Sequence, residues 1–154
     1  MIIALLILHG LLAVALLGAI THQTISLCAP ARGAAESFVG RMRSVSAPTY
    51  VNAIVVLYLL TALLGSIIYP TYRLNVRIVL EQMQLFKQNG AFELKEHLVA
   101  IGLGMLPAYW YLWRQPLAND HARSRAVITV ILALVVWWGF LVGHVLNNIR
   151  GFES

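Results

Sequence analysis

Charged residues are scarce in this sequence. Only 11% of its residues are Asp, Glu, Lys or Arg, whereas soluble domains carry about 25%. Hydrophobic residues make up 60% of the chain, and the mean hydropathy is +0.78. This composition excludes an ordinary soluble domain and predicts an integral membrane protein, whose partner is the lipid bilayer.

Cysteine is almost absent as well. The single cysteine, Cys28, cannot form an internal disulfide, and no C-x-x-C-H motif is present for covalent attachment of haem. Thiolate metal clusters are excluded for the same reason. The formal net charge of +5 does not predict nucleic-acid binding, because the basic residues flank apolar segments as topology signals do.

Three uncharged stretches are long enough to cross a membrane. A spanning helix needs about 20 apolar residues, and the runs 1–31, 44–72 and 126–149 meet that length. A fourth run, 98–113, has only 16 residues, so its helix is expected to extend back through the charged residues 93–97. The first run lacks a basic start and is expected to stay as a helix rather than to be cleaved as a signal peptide.

These runs predict an all-α, antiparallel four-helix bundle, because open strands cannot satisfy their backbone groups in lipid. We expect one transmembrane domain over 1–154, with helices at about 2–26, 47–72, 94–114 and 125–149. Between the second and third helices, apolar residues recur at steps of three and four over about 74–88. This spacing predicts a short interfacial amphipathic helix, which Asn89-Gly90 is expected to end.

Four crossings would place both termini on one side of the membrane. The connections on the other side carry six basic residues, and the side of the termini carries five. Basic residues favour the cytoplasm, so we expect a bacterial inner-membrane protein with both termini in the periplasm.

Three of the five histidines, His9, His97 and His144, fall near the membrane face of the termini. Because ionisable residues inside a membrane are costly, three at one level predict a site for haem iron or another metal. Glu93 precedes His97 by four residues and is a further possible ligand. Each histidine taken alone is better explained as a buried side chain hydrogen-bonded to a neighbouring helix or as an interfacial residue near lipid headgroups.

Further candidates surround this histidine cluster. Asn147 follows His144 by three residues and could hold an imidazole, a haem propionate or a quinone carbonyl. Trp137 shares the face of His144 and could line a flat cofactor. Arg73 and Arg77 suit propionates or anionic lipid, or they neutralise nearby glutamates.

A second site at the opposite membrane face is not favoured by the spacing. His22 lies 13 residues after His9, which places it about 140° away from the face of His9. His121 falls in a connection between helices, where a solvated side chain is expected.

At the level of architecture, the chain resembles the four-helix b-type membrane cytochromes of the b561 type. The resemblance covers the four crossings and the histidines within them, although the 13-residue spacing departs from the family's pattern. It implies noncovalent haem b between His144 and either His97 or His9, with electron exchange to quinone or to a periplasmic cytochrome. His97 and His144 are the expected axial pair, because a short connection joins their helices.

A second hypothesis is a small noncatalytic or assembly subunit of a larger respiratory or photosynthetic membrane complex. Small residues within the apolar runs allow close contacts with other membrane helices. No nucleophile elbow or phosphate-binding loop occurs. Whether the chain is an enzyme therefore stays open, and a redox subunit is the expected form of any catalytic role.

Overall fold

A computed structural model describes residues 2–28, 37, 40–41, 46–116 and 119–149, and these residues form helices without any strand. The helices are α1 (Ile2–Cys28), α2 (Val51–Tyr72), α3 (Ile78–Gln82), α4 (Phe86–Arg114) and α5 (Ala122–Ile149). A 3-10 turn, Ala47–Tyr50, leads into α2, and a π-helical segment, Arg73–Arg77, joins α2 to α3. A second 3-10 turn, Asn119–His121, precedes α5.

Three helical stretches are long and apolar enough to cross a membrane, which confirms that part of the prediction. They are Ile2–Cys28, Ala47–Gln82 and Ala122–Ile149. Their backbone groups are hydrogen-bonded within each helix, as the interior of a bilayer requires. The chain is therefore an integral membrane protein by length and composition of its helices.

The fourth long helix, α4, differs in composition from the other three. It begins at Phe86, eight residues before the predicted start, so it includes the charged residues of 93–96. Those charges lower the hydropathy of its first half, and α4 is not among the three apolar stretches.

No helix ends at Asn89-Gly90. The helix that was predicted over 74–88 is interrupted instead at 83–85. Gln84 adopts a φ of 57° there, a left-handed conformation that is uncommon outside glycine. Asn89 lies inside α4, where it is buried and its Nδ2 donates to Glu81 Oε1 at 3.1 Å. The prediction of a stop at Asn89-Gly90 was wrong: both residues lie within α4, and the Asn89 side chain joins α4 to α3.

The four long helices pack around one core. Ile20 of α1, Ile54 of α2, Tyr109 of α4 and Leu132 of α5 are fully buried in a single cluster. Helix α1 packs against α2 and α5, and α4 packs against α5 and, less extensively, against α2. This arrangement encloses a space between all four helices.

Buried polar contacts fix one end of this core. Gln23 is fully buried, its Nε2 donates to the carbonyl of Ala47 at 3.1 Å, and its Oε1 accepts from Tyr109 Oη at 2.7 Å. Trp113 Nε1 donates to Thr129 Oγ1 at 3.1 Å. Because these groups are satisfied within the protein, their burial carries little penalty, and this end of the core is closed.

The other end of the core holds a smaller cluster. Tyr72, Val76, Leu80 and Leu146 are buried together there, so the π-helical segment and α3 pack against the end of α5. Pro70 lacks a backbone N–H and removes one donor from α2, and the helix continues past it into the π-helical segment. Tyr72 is thereby placed at the margin of the central space.

Candidate functional site

The space between the four long helices is a cavity of about 440 Å³, here named the main cavity. Its volume lies within the range of about 300–1,000 Å³ that is usual for small-molecule sites. Most of the side chains that line it are apolar. Those that can form hydrogen bonds come from all four helices: His9, Tyr58, Thr61, Ser66, Tyr69, Tyr72, Lys95, Glu96, His144 and Asn147.

A smaller cavity of about 330 Å³, the face cavity, adjoins the main cavity. The two share Tyr69, Tyr72, Phe92 and Glu96 as lining residues. His97 lines only the face cavity. An aromatic and carboxylate boundary therefore separates the two spaces.

The structure divides the three predicted histidines between these cavities. His9 and His144 both line the main cavity, together with the predicted residue Asn147. His97 is exposed, and its Nδ1 donates to the backbone carbonyl of Glu93 at 2.7 Å. The expected axial pair, His97 and His144, thus does not line a common cavity.

His9 is half-buried and packs closely against α2. A Cβ added at Gly65 would lie 3.3 Å from His9 Cε1, so glycine at that position gives room for the imidazole. The backbone of Thr61 is a hydrogen-bond partner of the imidazole ring, which ties His9 to α2. His144, by contrast, is exposed and its ring lies parallel to that of Phe140, with the centroids 6.2 Å apart.

Two hydroxyl groups beside the main cavity are buried and unpaired. Thr61 Oγ1 and Tyr72 Oη have no hydrogen-bond partner in the described part of the chain. Both residues line the main cavity. A buried polar atom without a partner costs about 1–3 kcal/mol.

The unpaired hydroxyl of Thr61 is unusual within its own helical setting. Threonine and serine in helices commonly donate to the carbonyl four residues earlier. Thr24 does so to Ile20, and Ser66 does so to Ala62. Because Thr61 does not, its hydroxyl remains available to a group inside the cavity.

Aromatic rings form one surface of the main cavity. Tyr72 and Phe92 stack with ring centroids 3.8 Å apart and an angle of 14° between the planes. Tyr69 stacks on Phe92 at 6.3 Å and 12°. Flat, nearly parallel rings of this kind favour contact with another flat ring.

A lysine next to this aromatic surface is already neutralised. Lys95 Nζ lies 3.0 Å from Glu96 Oε1 and 4.1 Å from the centroid of the Phe92 ring, and only 16% of the lysine side chain is exposed. The ion pair and the cation–π contact offset the cost of placing an ammonium group in this setting. The cavity therefore has no strong preference for an anion.

The arginine and tryptophan side chains that were predicted to contact a cofactor make other contacts in the structure. Arg77 Nε pairs with Glu81 Oε1 at 2.9 Å, and its Nη2 pairs with Glu93 Oε1 at 3.0 Å, so this arginine neutralises glutamates. Arg73 is exposed and forms no ion pair within the described residues. Trp137 lines neither cavity, and its Nε1 donates to Thr21 Oγ1 at 3.0 Å, which joins α5 to α1.

The remaining histidines lie apart from the main cavity. His22 Nδ1 is 2.7 Å from Tyr50 Oη, and His121 is exposed in the turn before α5. Within the described ranges, no group of three or more His, Cys, Asp or Glu side chains is placed to hold one metal ion. A three-histidine metal centre with Glu93 is thus not assembled there, since the Glu93 carboxylate pairs with Arg77.

Sequence reasoning missed Thr61 and the role of Tyr72, although a pattern in α2 points to them. Tyr58, Thr61, Gly65, Tyr69 and Tyr72 follow one another at steps of three and four residues, and such residues share one face of a helix. A stripe of hydroxyl groups along an otherwise apolar helix indicates a polar function facing the bundle interior. Comparison with protein-family models, curated proteins and solved structures finds no match to this chain, so the geometry of the main cavity carries the functional inference.

Proposed function

We propose that this protein binds a quinone in the main cavity and serves a membrane electron-transfer system. The observation that carries the proposal is the convergence of two unpaired hydroxyl groups, Thr61 Oγ1 and Tyr72 Oη, on one largely apolar cavity. A ligand that pairs with them would remove a penalty of about 1–3 kcal/mol for each atom.

The chemistry of the cavity favours a quinone over other lipid-soluble ligands. A quinone headgroup carries two carbonyl acceptors, which match the donor hydroxyls of Thr61 and Tyr72. Its flat ring suits the stacked surface formed by Tyr72 and Phe92. A quinone is also uncharged. An uncharged ligand suits this cavity because Glu96 already neutralises the lysine, Lys95, that lines it.

A titration in quinone-free lipid nanodiscs tests this proposal. A benzoquinone with a decyl tail is added to nanodiscs that contain the protein and to matched nanodiscs without it. We expect saturable binding of one quinone per chain above the partition into lipid alone. Equal partition into both kinds of nanodisc would contradict the proposal.

Haem b is a second candidate ligand, because His9 and His144 line the same cavity. The donor set fits, since two imidazoles are the usual axial ligands of a noncovalent b-type haem; the haem would supply one-electron transfer. The Phe140 ring, which lies parallel to that of His144, would then pack beside this haem ligand. Haem and the quinone would compete for one cavity, so only one of the two proposals can hold.

An absorption spectrum separates the two candidates. If haem occupies the cavity, protein from haem-sufficient cells shows a Soret band, and reduction splits the visible bands. His144→Ala would then lose these bands and the matched control His121→Ala would keep them. We expect a colourless protein; a coloured one with this pattern would assign the cavity to haem.

We also propose an antiparallel four-helix arrangement in a bacterial inner membrane, with both termini periplasmic. Contacts between opposite ends support it: the early residue His9 of α1 lies at Gly65 late in α2, and the late residue His22 lies at Tyr50 before α2. Helix α4, at 29 residues, is about 43 Å long and can serve as the fourth crossing. The segment 73–85 would then lie at the membrane face, where another membrane subunit or a periplasmic cytochrome could approach.

A further inference from the structure

The main cavity has openings that differ in their surroundings. Four of its lining residues are exposed: Ser66 of α2, Ala100 of α4, and His144 and Asn147 of α5. The two residues of α5 lie within its last six positions and are polar. Ser66 is the 16th of the 22 residues of α2 and Ala100 the 15th of the 29 residues of α4, so in the proposed four-helix membrane arrangement both would face lipid tails.

The helices α2 and α4 make the sparsest of the four contacts between neighbouring long helices. They meet on one side of the opening through Tyr58 Oη, which donates to the carbonyl of Val99 at 3.0 Å. On the other side they meet through the stack of Tyr72 and Phe92, next to the ion pair that joins Arg77 of the π-helical segment to Glu93 of α4. Between these contacts the cavity reaches the surface of the bundle.

Small side chains border this opening, which we name the portal and define by Ala62, Ser66 and Ala100. All three line the main cavity. Ser66 is the only polar residue of the portal, and its hydroxyl donates to the Ala62 carbonyl at 3.0 Å. The portal therefore presents no unpaired side-chain donor to lipid tails, so an alkyl chain can pass it without desolvating a polar group.

Two other helix pairs are in contact where they border the cavity. Between α1 and α2, the His9 ring fills the space over Gly65. Between α4 and α5, the side chains of Lys95 and Val99 would lie 3.9 Å from a Cβ at Gly139, which is ordinary van der Waals contact. The portal, with exposed Ser66 and Ala100 at its border, is a route that matches an apolar chain.

We infer that the ligand of the main cavity has a long apolar tail, that this tail leaves through the portal, and that the ligand enters laterally from the bilayer. This inference rests on the proposed quinone function and adds the class of quinone, one dissolved in the membrane, and its route. The headgroup lies against Thr61, Tyr72 and Phe92, and the tail passes Ser66 and Ala100.

The experiment compares two probes, a benzoquinone headgroup without a tail and the same headgroup with a decyl tail, in nanodiscs. Ala100→Phe and Ser66→Phe narrow the portal, and Ala108→Phe and Ala53→Phe are matched controls at exposed alanines that do not line the cavity. The portal variants are expected to weaken binding of the tailed quinone roughly tenfold, through lost contact of its methylene groups, and to slow its association. The controls should leave both probes unchanged.

Binding of the tail-less headgroup distinguishes a failure of the portal from a failure of the proposed quinone site. It should be unchanged in the portal variants. If both probes bind the wild type and the portal variants weaken neither, or weaken both equally, the portal is overturned while the quinone site stands. If neither probe binds the wild type, the proposed function fails and the portal with it. Where a phenylalanine variant does not fold, Ala100→Leu provides the same comparison.

Discussion

Gly102→Ala is expected to lower the free energy of unfolding by about 2–4 kcal/mol, through overpacking and a lost hydrogen bond. A Cβ at Gly102 would collide with Tyr58 Oη and lie 2.8 Å from its Cζ. Tyr58 is only 3% exposed and packs in the main core cluster, so its ring cannot move aside freely. Helix α4 must shift away from α2, or Tyr58 must give up its bond to the Val99 carbonyl.

The measurement is denaturant or thermal unfolding of the purified protein in detergent micelles, with Gly104→Ala as the matched control. Gly104 is exposed on the same helix, and nothing lies within 4 Å of a Cβ there, so its replacement should be neutral or slightly stabilising. Tyr58→Phe in the Gly102→Ala background should recover part of the loss, because it removes the colliding oxygen. Equal effects at Gly102 and Gly104 would contradict the packing between α2 and α4.

The double variant Thr61→Val/Tyr72→Phe should weaken quinone binding by about 30- to 150-fold, from two lost hydrogen bonds of about 1–1.5 kcal/mol each. The same change should make the ligand-free protein more stable, because it removes two buried hydroxyls that have no partner in the described chain. Titration in nanodiscs gives the affinity, and unfolding in micelles gives the stability. Affinity and stability are expected to change in opposite directions.

Tyr109→Phe provides the contrast that makes this result specific. The Tyr109 hydroxyl donates to Gln23 Oε1 at 2.7 Å, and its loss leaves a fully buried acceptor unpaired. We therefore expect Tyr109→Phe to destabilise the protein by about 1–2 kcal/mol and to leave quinone binding unchanged. If Tyr72→Phe lowered stability as Tyr109→Phe does, the Tyr72 hydroxyl would have a structural partner and would not be available to a ligand.

The three apolar helices could be predicted because an uninterrupted apolar run determines both structure and environment. The start of α4 could not be read from hydropathy, because its charged residues are compensated by contacts distant in sequence. Arg77 pairs with Glu93, and Asn89 bonds to Glu81. The helix is interrupted instead at Gln84, which adopts a left-handed conformation. Because this residue is not a glycine, the sequence gives no signal of the interruption.

The candidate site was predicted in part. Counting residues along each helix gave the depth of His9 and His144, and the structure places both at one cavity. Depth alone does not give the rotation of each helix or the order of the helices around the bundle, so the sequence does not show that His97 lines the face cavity rather than the main cavity. The hydroxyl groups of Thr61 and Tyr72 were overlooked because their significance depends on partners they lack, which no local pattern reveals.

The quinone site is tested most directly by photolabelling with an azido-quinone, followed by mass spectrometry of the labelled peptides. Labels are expected on residues 58–72 of α2 and 92–103 of α4, which border the main cavity, and an excess of unlabelled quinone should suppress them. Labels that instead fall on outward positions such as Leu11 and Leu134, which are 63% and 64% exposed, and that resist competition would contradict a specific quinone site.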